Sequence, residues 1–433
     1  MTTRAASPAA DMPRVAILAD DLTGAGDTLV QFVQRGWNGL LQRGPETPPL
    51  GPRAALSRPL HTRAMPDAQA RETTAQAVVQ TLAVGIAQVY LKIDSTLRGS
   101  VAAQLDGALA AWRRTHPDAF VVLCPAYPAM GRTQHDGQLF VNGTPLADSP
   151  AGRDPVTPVT SSHLTDLVPG SVVVPACERV ADWTRTLSAA ARSHAVVVAE
   201  ADNDVHLRTL AAAVASLGSR ALPAGSAGFA LPLAAAWLGA ERAPPAAVAE
   251  GAPSDANVLV VVTSANEVSR RQVDALQAHL GAQLVVRQAR AADLADVASA
   301  ERWAMAPTPA HVIVLQAPAE REETPDAAIR RERGQRVARA IAVAARGALT
   351  QHRIGRLVLV GGDGAEAVLD ALDAQVLRMI GTVQEGVPLA TVMGGPCDGL
   401  PVATKAGGFG HDRTLLEVVQ SLQSLTTKPE VSR

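Results

Sequence analysis

Short, largely apolar runs recur along the whole chain and constrain its fold more than any other feature. They are rich in β-branched residues and lie at 15–19, 120–123, 171–174, 195–198, 258–262, 312–315 and 357–360. Continuous rather than alternating apolar runs are typical of strands that are covered on both faces, as in parallel sheets. Stretches of helical periodicity separate most of them, at 181–193, 204–217, 268–280 and 326–350. This alternation predicts an α/β fold built of mostly parallel sheets flanked by helices.

The length of the chain favours two domains. It has 433 residues, whereas one domain usually takes about 100–200. The segment Gly239–Asn257 is rich in Pro and Ala and has no periodicity, which is typical of a linker. We therefore predict a flexible tail at 1–13, a first domain at 14–243, a linker at 244–256, a second domain at 257–425 and a tail at 426–433. A ligand cleft is expected between the two domains.

Composition excludes several classes of function. Aromatic residues make up 3% of the chain and the net charge is −2, which argues against nucleic-acid and membrane partners. The three cysteines lie far apart and form no CxxC pair, so a disulfide framework and a cysteine-rich zinc site are not expected. No run approaches the roughly 18 apolar residues of a membrane span, and no signal peptide is evident. These features predict a cytoplasmic protein.

Three acids follow the first apolar run directly. Asp20, Asp21 and Asp27 lie within eight residues, interleaved with Gly24 and Gly26. A strand, a Gly-rich turn and a helix in this order commonly build a ligand site at the carboxyl end of a strand. Such acids serve a cation, a substrate hydroxyl or a proton to be removed, unless one simply caps the helix and the others are solvated.

A second polar cluster follows the apolar stretch that ends at Leu91. It contains Lys92, Asp94, Ser95, Thr96, Arg98 and Ser100. Cations, an acid and hydroxyls at a strand end can bind a carboxylate and sugar hydroxyls. The alternative is an ion-paired surface loop with a cap for the next helix. Arg63 is a further candidate for binding a carboxylate.

Three polar or Gly-rich loops lie in the second half of the chain. They are Thr263–Asn266, Gly361–Gly364 and Ala406–Gly410. Lys405 precedes the third and is a candidate cation for phosphates. Glycines let the backbone approach phosphates closely, and a helix N-terminus attracts them. No GxxxxGK[ST] occurs, so the pattern is not a P-loop, and no GxGxxG supports a dinucleotide site.

The residues alone therefore favour phosphoryl transfer from ATP to a polar hydroxy acid, which depends mostly on positioning and charge neutralisation. One rival is an NAD-linked dehydrogenase, which would require the missing GxGxxG. Another is a non-catalytic acid-sugar sensor, which would not need the Gly-rich loops. The Ala-rich helix at 326–350 fits either a homodimer interface or core packing.

The chain resembles the four-carbon acid sugar kinase family, once a domain of unknown function. The matching stretches are 19–25, 92–99, 128–133, the Asp154-Pro155 loop, 361–364 and 400–410. One departure is Leu22, where the family usually has an aromatic residue. The resemblance implies an N-terminal acid-sugar-binding domain and a C-terminal nucleotide-binding domain. It also implies phosphorylation of the terminal 4-hydroxyl of threonate, erythronate or 3-oxo-tetronate, and the end of the chain is most like the D-threonate kinase branch.

The resemblance also implies roles for individual residues. The substrate contacts it implies are Asp20, Arg63, Lys92, Ile93, Asp94 and Ser95, with Arg98 beside them. The ATP contacts it implies are Ser264, Gly361, Gly362, Asp363, Gly364, Gly407 and Gly408. We expect Arg63 and the Lys92/Arg98 region to bind the substrate carboxylate. Asp20 or Asp21 would accept the proton of the 4-hydroxyl, with Asp27 as a rival base. Mg²⁺ is expected with ATP, held mostly by phosphates and water, and no metal ligands are identified.

Overall fold

A computed structural model describes residues 13–154, 156–239, 256–319 and 327–425. The chain divides into two compact units. The first comprises Met1–Leu40 and Thr47–Ala246, and the second comprises Leu41–Glu46 and Ala247–Arg433. Almost all of the predicted tails and of the predicted linker lies outside the described residues.

The first unit contains eleven strands and seven α-helices among its described residues, counting β2, whose last two residues belong to the second unit. The strands are β1 (Val15–Ala19), β2 (Asn38–Gln42), β3 (Ala54–Pro59), β4 (Gln88–Lys92), β5 (Phe120–Cys124), β6 (Arg132–His135), β7 (Gln138–Val141), β8 (Thr144–Pro145), β9 (Val172–Val174), β10 (Val196–Ala199) and β11 (Ala221–Gly225). The helices are α1 (Leu22–Val33), α2 (Asp67–Ala83), α3 (Val101–Trp112), α4 (Leu164–Leu167), α5 (Val180–Ala190), α6 (Asp204–Leu217) and α7 (Ala227–Leu238).

The main sheet of this unit has the strand order β2-β3-β1-β4-β11-β5-β10-β9. The seven strands that follow β2 in this order are parallel to one another. β1 and β5 are completely buried, as their continuous apolar sequences predict. A small antiparallel sheet, β6-β7-β8, follows β5 in the chain. Its strands are two to four residues long, and β6 is entirely polar, so no long apolar run marks this sheet in the sequence.

The second unit contains seven strands and five helices among its described residues. These are β12 (Asn257–Val262), β13 (Leu284–Gln288), β14 (Val312–Gln316), β15 (Ile354–Val360), β16 (Val376–Gln384), β17 (Val387–Met393), β18 (Pro401–Lys405), α8 (Glu267–Leu280), α9 (Val297–Met305), α10 (Ala327–Gln351), α11 (Gly362–Ala371) and α12 (Thr414–Ser424). The strand order is β13-β14-β12-β15-β18-β17-β16. Along this order, neighbouring strands are parallel as far as β18. β17 is antiparallel to both of its neighbours, β18 and β16. The predicted α/β class with mostly parallel sheets is confirmed.

Two predicted turns are helical instead. α1 begins at Leu22, so Gly24 and Gly26 lie inside the helix and not in a turn before it. The reason is that the side chain of Asp21 accepts a hydrogen bond from the backbone N–H of Gly24, which is the usual cap of a helix start. Likewise α11 begins at Gly362, so most of the predicted loop Gly361–Gly364 is the first turn of this helix.

The long helix α10 packs in the core of the second unit. Ala338, Ile341, Ala342, Ala345 and Ala348 are all buried, and the helix contacts α9 and α11. Core packing explains this apolar stripe, and the predicted homodimer stays a prediction. Within the described residues, no helix is both long enough and apolar enough to cross a membrane.

Candidate active site

Parallel pairing brings the polar residues of the first unit together. In the register of the sheet, Ala19 at the end of β1 lies between Pro59 of β3 and Lys92 of β4. The backbone N–H of Asp20 donates to the carbonyl of Lys92 at 3.1 Å. Because neighbouring parallel strands end at the same edge of the sheet, Asp20, Arg63 and Lys92 meet there although the sequence separates them.

Arg63 is the central cation of this cluster. Its Nε lies 2.7 Å from Oδ2 of Asp20, its Nη1 lies 2.8 Å from Oδ2 of Asp21, and its Nη2 lies 3.6 Å from Oδ1 of Asp94. Burial disfavours the charge of Arg63, but the three carboxylates outweigh that effect and hold its pKa well above the ordinary value. The guanidinium thus holds three acids in one place.

The two adjacent acids differ in environment. Burial raises the pKa of Asp20 against the opposing charges of Arg63 and Lys92. Its side chain is fully buried, and Oδ1 has no hydrogen-bond partner among the described residues. Burial also acts on Asp21, but there the charges of Arg63 and Lys92 prevail and lower the pKa. Both oxygens of Asp21 are occupied, by the N–H of Gly24 and by the hydroxyl of Thr23. Asp20 is therefore the carboxylate better suited to accept a proton.

Asp94 belongs to a second ion-paired group. Its carboxylate accepts hydrogen bonds from Nε and Nη2 of Arg98 at 2.7 and 3.0 Å and from the hydroxyl of Thr96. Burial opposes its charge, yet Arg63 and Arg98 hold its pKa well below the usual range. Arg98 also binds Asp154 through Nη1 at 2.8 Å. The loop containing Asp154 thus contacts the cluster, whereas in the sequence it was only a stretch that matches the family.

The remaining predicted substrate residues surround this cluster. Lys92 is buried, and its amine donates to the carbonyl of Ile93 at 2.7 Å and lies 3.9 Å from Oδ1 of Asp20. Ser95 is partly exposed, and no hydrogen bond engages its hydroxyl within the described residues. A Cβ at Gly24 would lie 2.6 Å from Oδ1 of Asp21 and 2.8 Å from the amine of Lys92. The absence of a side chain at Gly24 therefore allows the acid and the amine to approach.

The structure thus brings every predicted substrate residue to one edge of the sheet. It also ion-pairs both arginines, which the sequence offered as an alternative for Arg98 but did not predict for Arg63. The charged nitrogens of Arg63 and Arg98 already bind the chain's own carboxylates, so neither is a free receptor for the carboxylate of a ligand. Another basic residue, Arg132, starts β6 after the loop that follows β5 at the same edge of the sheet, and it was not singled out in the sequence.

The predicted nucleotide loops of the second unit also converge. They follow β12, β15 and β18, which are neighbours in the sheet with Val262, Val360 and Lys405 at their ends. A Cβ at Gly407 would lie 1.8 Å from Oγ of Ser264. A Cβ at Gly364 would lie 1.9 Å from Oγ1 of Thr263. The loops therefore pack backbone against side chain, which explains the glycines at these positions.

The two helices that start at these loops differ at their N-termini. The side chain of Asn266 caps α8 by accepting from the N–H of Val268. Among the described residues no side chain caps α11, and its first residues are Gly362, Asp363 and Gly364. Its N-cap, Gly361, has a φ of 112°, which a side chain would disfavour. An uncapped helix start with small residues is the kind of site that binds a phosphate group.

Lys405 stabilises its own loop. Its amine donates to the carbonyls of Ala406 and Phe409, both at 2.9 Å. Burial lowers its pKa to about 8. In this structure the amine is directed at the loop carbonyls, whereas the sequence suggested a phosphate contact.

These features fit a triphosphate nucleotide. Backbone N–H groups at the start of α11 and the hydroxyl of Ser264 are hydrogen-bond donors of the kind that bind phosphate oxygens. Across the described parts of the chain, no group of three or more His, Cys, Asp or Glu side chains is placed to hold a metal ion.

The sequence matches two known domain families in order. Residues 15–233 match a family described as the sugar-binding N-terminal domain, and residues 259–415 match the nucleotide-binding C-terminal domain. D-threonate kinase from Bordetella bronchiseptica is 39% identical, covering 95% of this chain and 98% of the relative. D-threonate kinase from Salmonella typhimurium is 31% identical, covering 95% and 99%. A 3-oxo-tetronate kinase from Brucella melitensis is 28% identical, covering 95% and 97%.

Solved structures show the same fold. A protein from Salmonella typhimurium LT2 superimposes with a TM-score of 0.75 at 23% identity, covering 94% of this chain and 99% of that one. A Haemophilus influenzae protein does so with a TM-score of 0.69, also at 23% identity and with the same coverage.

Proposed function

Because the chain belongs to the four-carbon acid sugar kinase family, we propose that it transfers the γ-phosphoryl group of ATP to the terminal 4-hydroxyl of a four-carbon acid sugar. D-threonate is the favoured acceptor, since the relative at 39% identity is named a D-threonate kinase. A 3-oxo-tetronate is the alternative acceptor, because relatives at 28–29% identity carry that name.

The observation that carries this proposal is the buried charge cluster around Arg63. It presents three carboxylates, a lysine and two arginines at one edge of a parallel sheet. Such an arrangement can bind a polyhydroxy acid through many charge-assisted hydrogen bonds. A dehydrogenase would instead require a dinucleotide motif, which the sequence lacks.

Within this cluster we assign Asp20 the role of the general base. In the reaction the bond between the γ-phosphorus and the bridging oxygen of ATP breaks, and a bond to the 4-oxygen of the acid forms. The proton of the 4-hydroxyl must move to an acceptor, and ADP leaves. Asp20 supports this role because Oδ1 has no hydrogen-bond partner among the described residues and burial raises its pKa. Asp21 and Asp94 are poorer bases since both have lowered pKa values.

The second unit would bind the nucleotide. The start of α11 would hold phosphate oxygens through backbone N–H groups, and Ser264 and Gly407 would lie beside them. Mg²⁺, when bound, neutralises charge on the phosphates during transfer. We place it on the phosphates and water, with no protein ligand assigned.

The test of this function is ADP release with ATP and Mg²⁺ against D- and L-threonate, D- and L-erythronate, and their 3-oxo analogues. Turnover with one of these acids supports the kinase and identifies its acceptor. ATP binding without turnover of any acid would exclude a four-carbon acid as the acceptor. A non-catalytic acid-sugar sensor would then be the better interpretation of the protein's function.

The test of the base is Asp20→Asn, which keeps the shape of the side chain and removes its basicity. The value of kcat should collapse while ATP still binds, because the nucleotide loops lie in the other unit. The control is Asp106→Asn, whose carboxylate is 64% exposed and pairs with Arg71 on the surface. An unchanged kcat in a folded Asp20→Asn enzyme would exclude Asp20 as the base.

A further inference from the structure

Arg132 differs from the other cations near the acid cluster because it forms no ion pair with any carboxylate of the described residues. Arg63 contacts three carboxylates, and Arg98 contacts two. In the described part of the chain, Arg132 forms no ion pair, its Nε has no hydrogen-bond partner, and Nη1 donates to the carbonyl of Met130. Arg132 is partly exposed as a residue, its Nε is buried, and Nη2 carries no hydrogen bond within the described residues.

The backbone fixes Arg132 in place. It follows the turn Pro128–Met130, and its N–H and carbonyl form hydrogen bonds with Tyr127 at 3.0 and 2.8 Å. Its other neighbour in the small sheet is Val141. A cation on such a rigid turn needs little ordering when it binds a ligand, which favours affinity.

The position of Arg132 relates it to the proposed base. In the sheet, Gly225 of β11 pairs with both Lys92 and Cys124, so the loop that follows β5 and leads to Arg132 lies at the same edge as the acid cluster. Burial lowers the pKa of the Arg132 guanidinium, and the charges of Asp94, Arg98 and Asp27 act on it. Asp94 in turn contacts Arg63, which holds Asp20. Because a single guanidinium contacts both Asp20 and Asp94, the two acids lie within the span of a four-carbon molecule.

We propose that Arg132 binds the C1 carboxylate of the acid substrate and thereby directs the 4-hydroxyl, at the other end of the molecule, to Asp20. This inference rests on the proposed function. A guanidinium presents two parallel N–H donors that match the two oxygens of a carboxylate. The nitrogens of Arg63 and Arg98 are already engaged by Asp20, Asp21, Asp94 and Asp154, so they orient the acids and Arg132 recognises the ligand.

The experiment is steady-state kinetics with Arg132→Met at saturating ATP and varied acid. KM for the acid should rise about 10- to 100-fold, the range expected for losing a hydrogen-bonded charge, while kcat changes little. Arg132→Lys should restore part of the loss because it keeps the charge. The control is Arg185→Met, whose side chain is 73% exposed on α5. Thermal unfolding of Arg132→Met should match that of the wild type, since no ion pair is lost.

A second substrate distinguishes the loss of carboxylate recognition from a general loss of substrate binding in the variant. The matching four-carbon polyol carries CH₂OH in place of the carboxylate. The wild type should strongly prefer the acid to the polyol, and Arg132→Met should lose that preference. An unchanged KM for the acid would overturn the proposal. A fall in kcat at constant KM would also overturn it, because that result would indicate a contact between Arg132 and the transferred phosphoryl group.

A failure of the proposed kinase function can be distinguished from a failure of the proposed role of Arg132. If the wild type turns over none of the acids, calorimetric titration with D-threonate still compares wild type and Arg132→Met. Weaker binding to the variant supports the carboxylate contact, and equal binding or no binding to the wild type overturns it.

Discussion

Replacing Arg63 with methionine should destabilise the first unit strongly, and the loss should depend on pH. Methionine keeps much of the volume but leaves Asp20, Asp21 and Asp94 without their shared cation. Removing one partner of a buried ion pair costs about 3–5 kcal/mol. The Arg63 side chain is 21% exposed, so we expect the lower end, about 3 kcal/mol at pH 8. Arg71→Met is the matched control, and its exposed pair with Asp106 should cost about 0–1 kcal/mol.

The pH dependence follows from the lowered pKa values of Asp21 and Asp94. A carboxyl group whose pKa is lowered by folding stabilises the protein at pH values above its unfolded-state pKa of 3.8. This stabilisation is lost as the pH falls through the folded-state pKa. Without Arg63, burial dominates and the same carboxylates take up protons at higher pH. The difference between variant and wild type should therefore narrow from pH 8 to pH 5.

Urea denaturation monitored by tryptophan fluorescence measures this difference. Four of the five tryptophans, Trp37, Trp112, Trp183 and Trp237, lie in the first unit, so the signal reports mainly on that unit. The two units need not unfold together, and the transition of the first is the one to fit. A cost no larger than that of Arg71→Met, or one that stays constant with pH, would refute the reasoning.

Two further predictions concern the nucleotide loops and the base. Gly364→Ala would place a methyl group 1.9 Å from Oγ1 of Thr263, so it should weaken ATP binding and cost about 1–3 kcal/mol of stability. Its control is Gly334→Ala, where a Cβ meets nothing within 4 Å and the helix should gain up to about 1 kcal/mol; equal ATP affinity in both variants would contradict the packing argument. For the base, kcat should fall as pH falls through the pKa of Asp20, with a midpoint above the ordinary 3.8 because burial raises that pKa. A pH–rate profile tests this, and residual activity of Asp20→Asn should lack the acid limb; the same limb in the variant would assign it to another group.

The sequence was sufficient for the class of fold and for the location of the candidate site segments. Local patterns carry that information, because a buried parallel strand needs a continuous apolar run and a ligand loop follows the strand's carboxyl end. The apolar runs at 15–19 and 357–360 are therefore strands, as predicted. Polar strands such as β6 escaped prediction because no apolar run marks them.

Only the tertiary structure decided how the charges are shared. Arg63 lies 43 positions from Asp20, and Arg98 lies 56 positions from Asp154. Which cation neutralises which acid depends on the order and register of parallel strands, and no local pattern specifies that order. The sequence therefore predicted that Arg63 binds a ligand, while the fold directs it at the chain's own acids and leaves Arg132 without a carboxylate partner among the described residues.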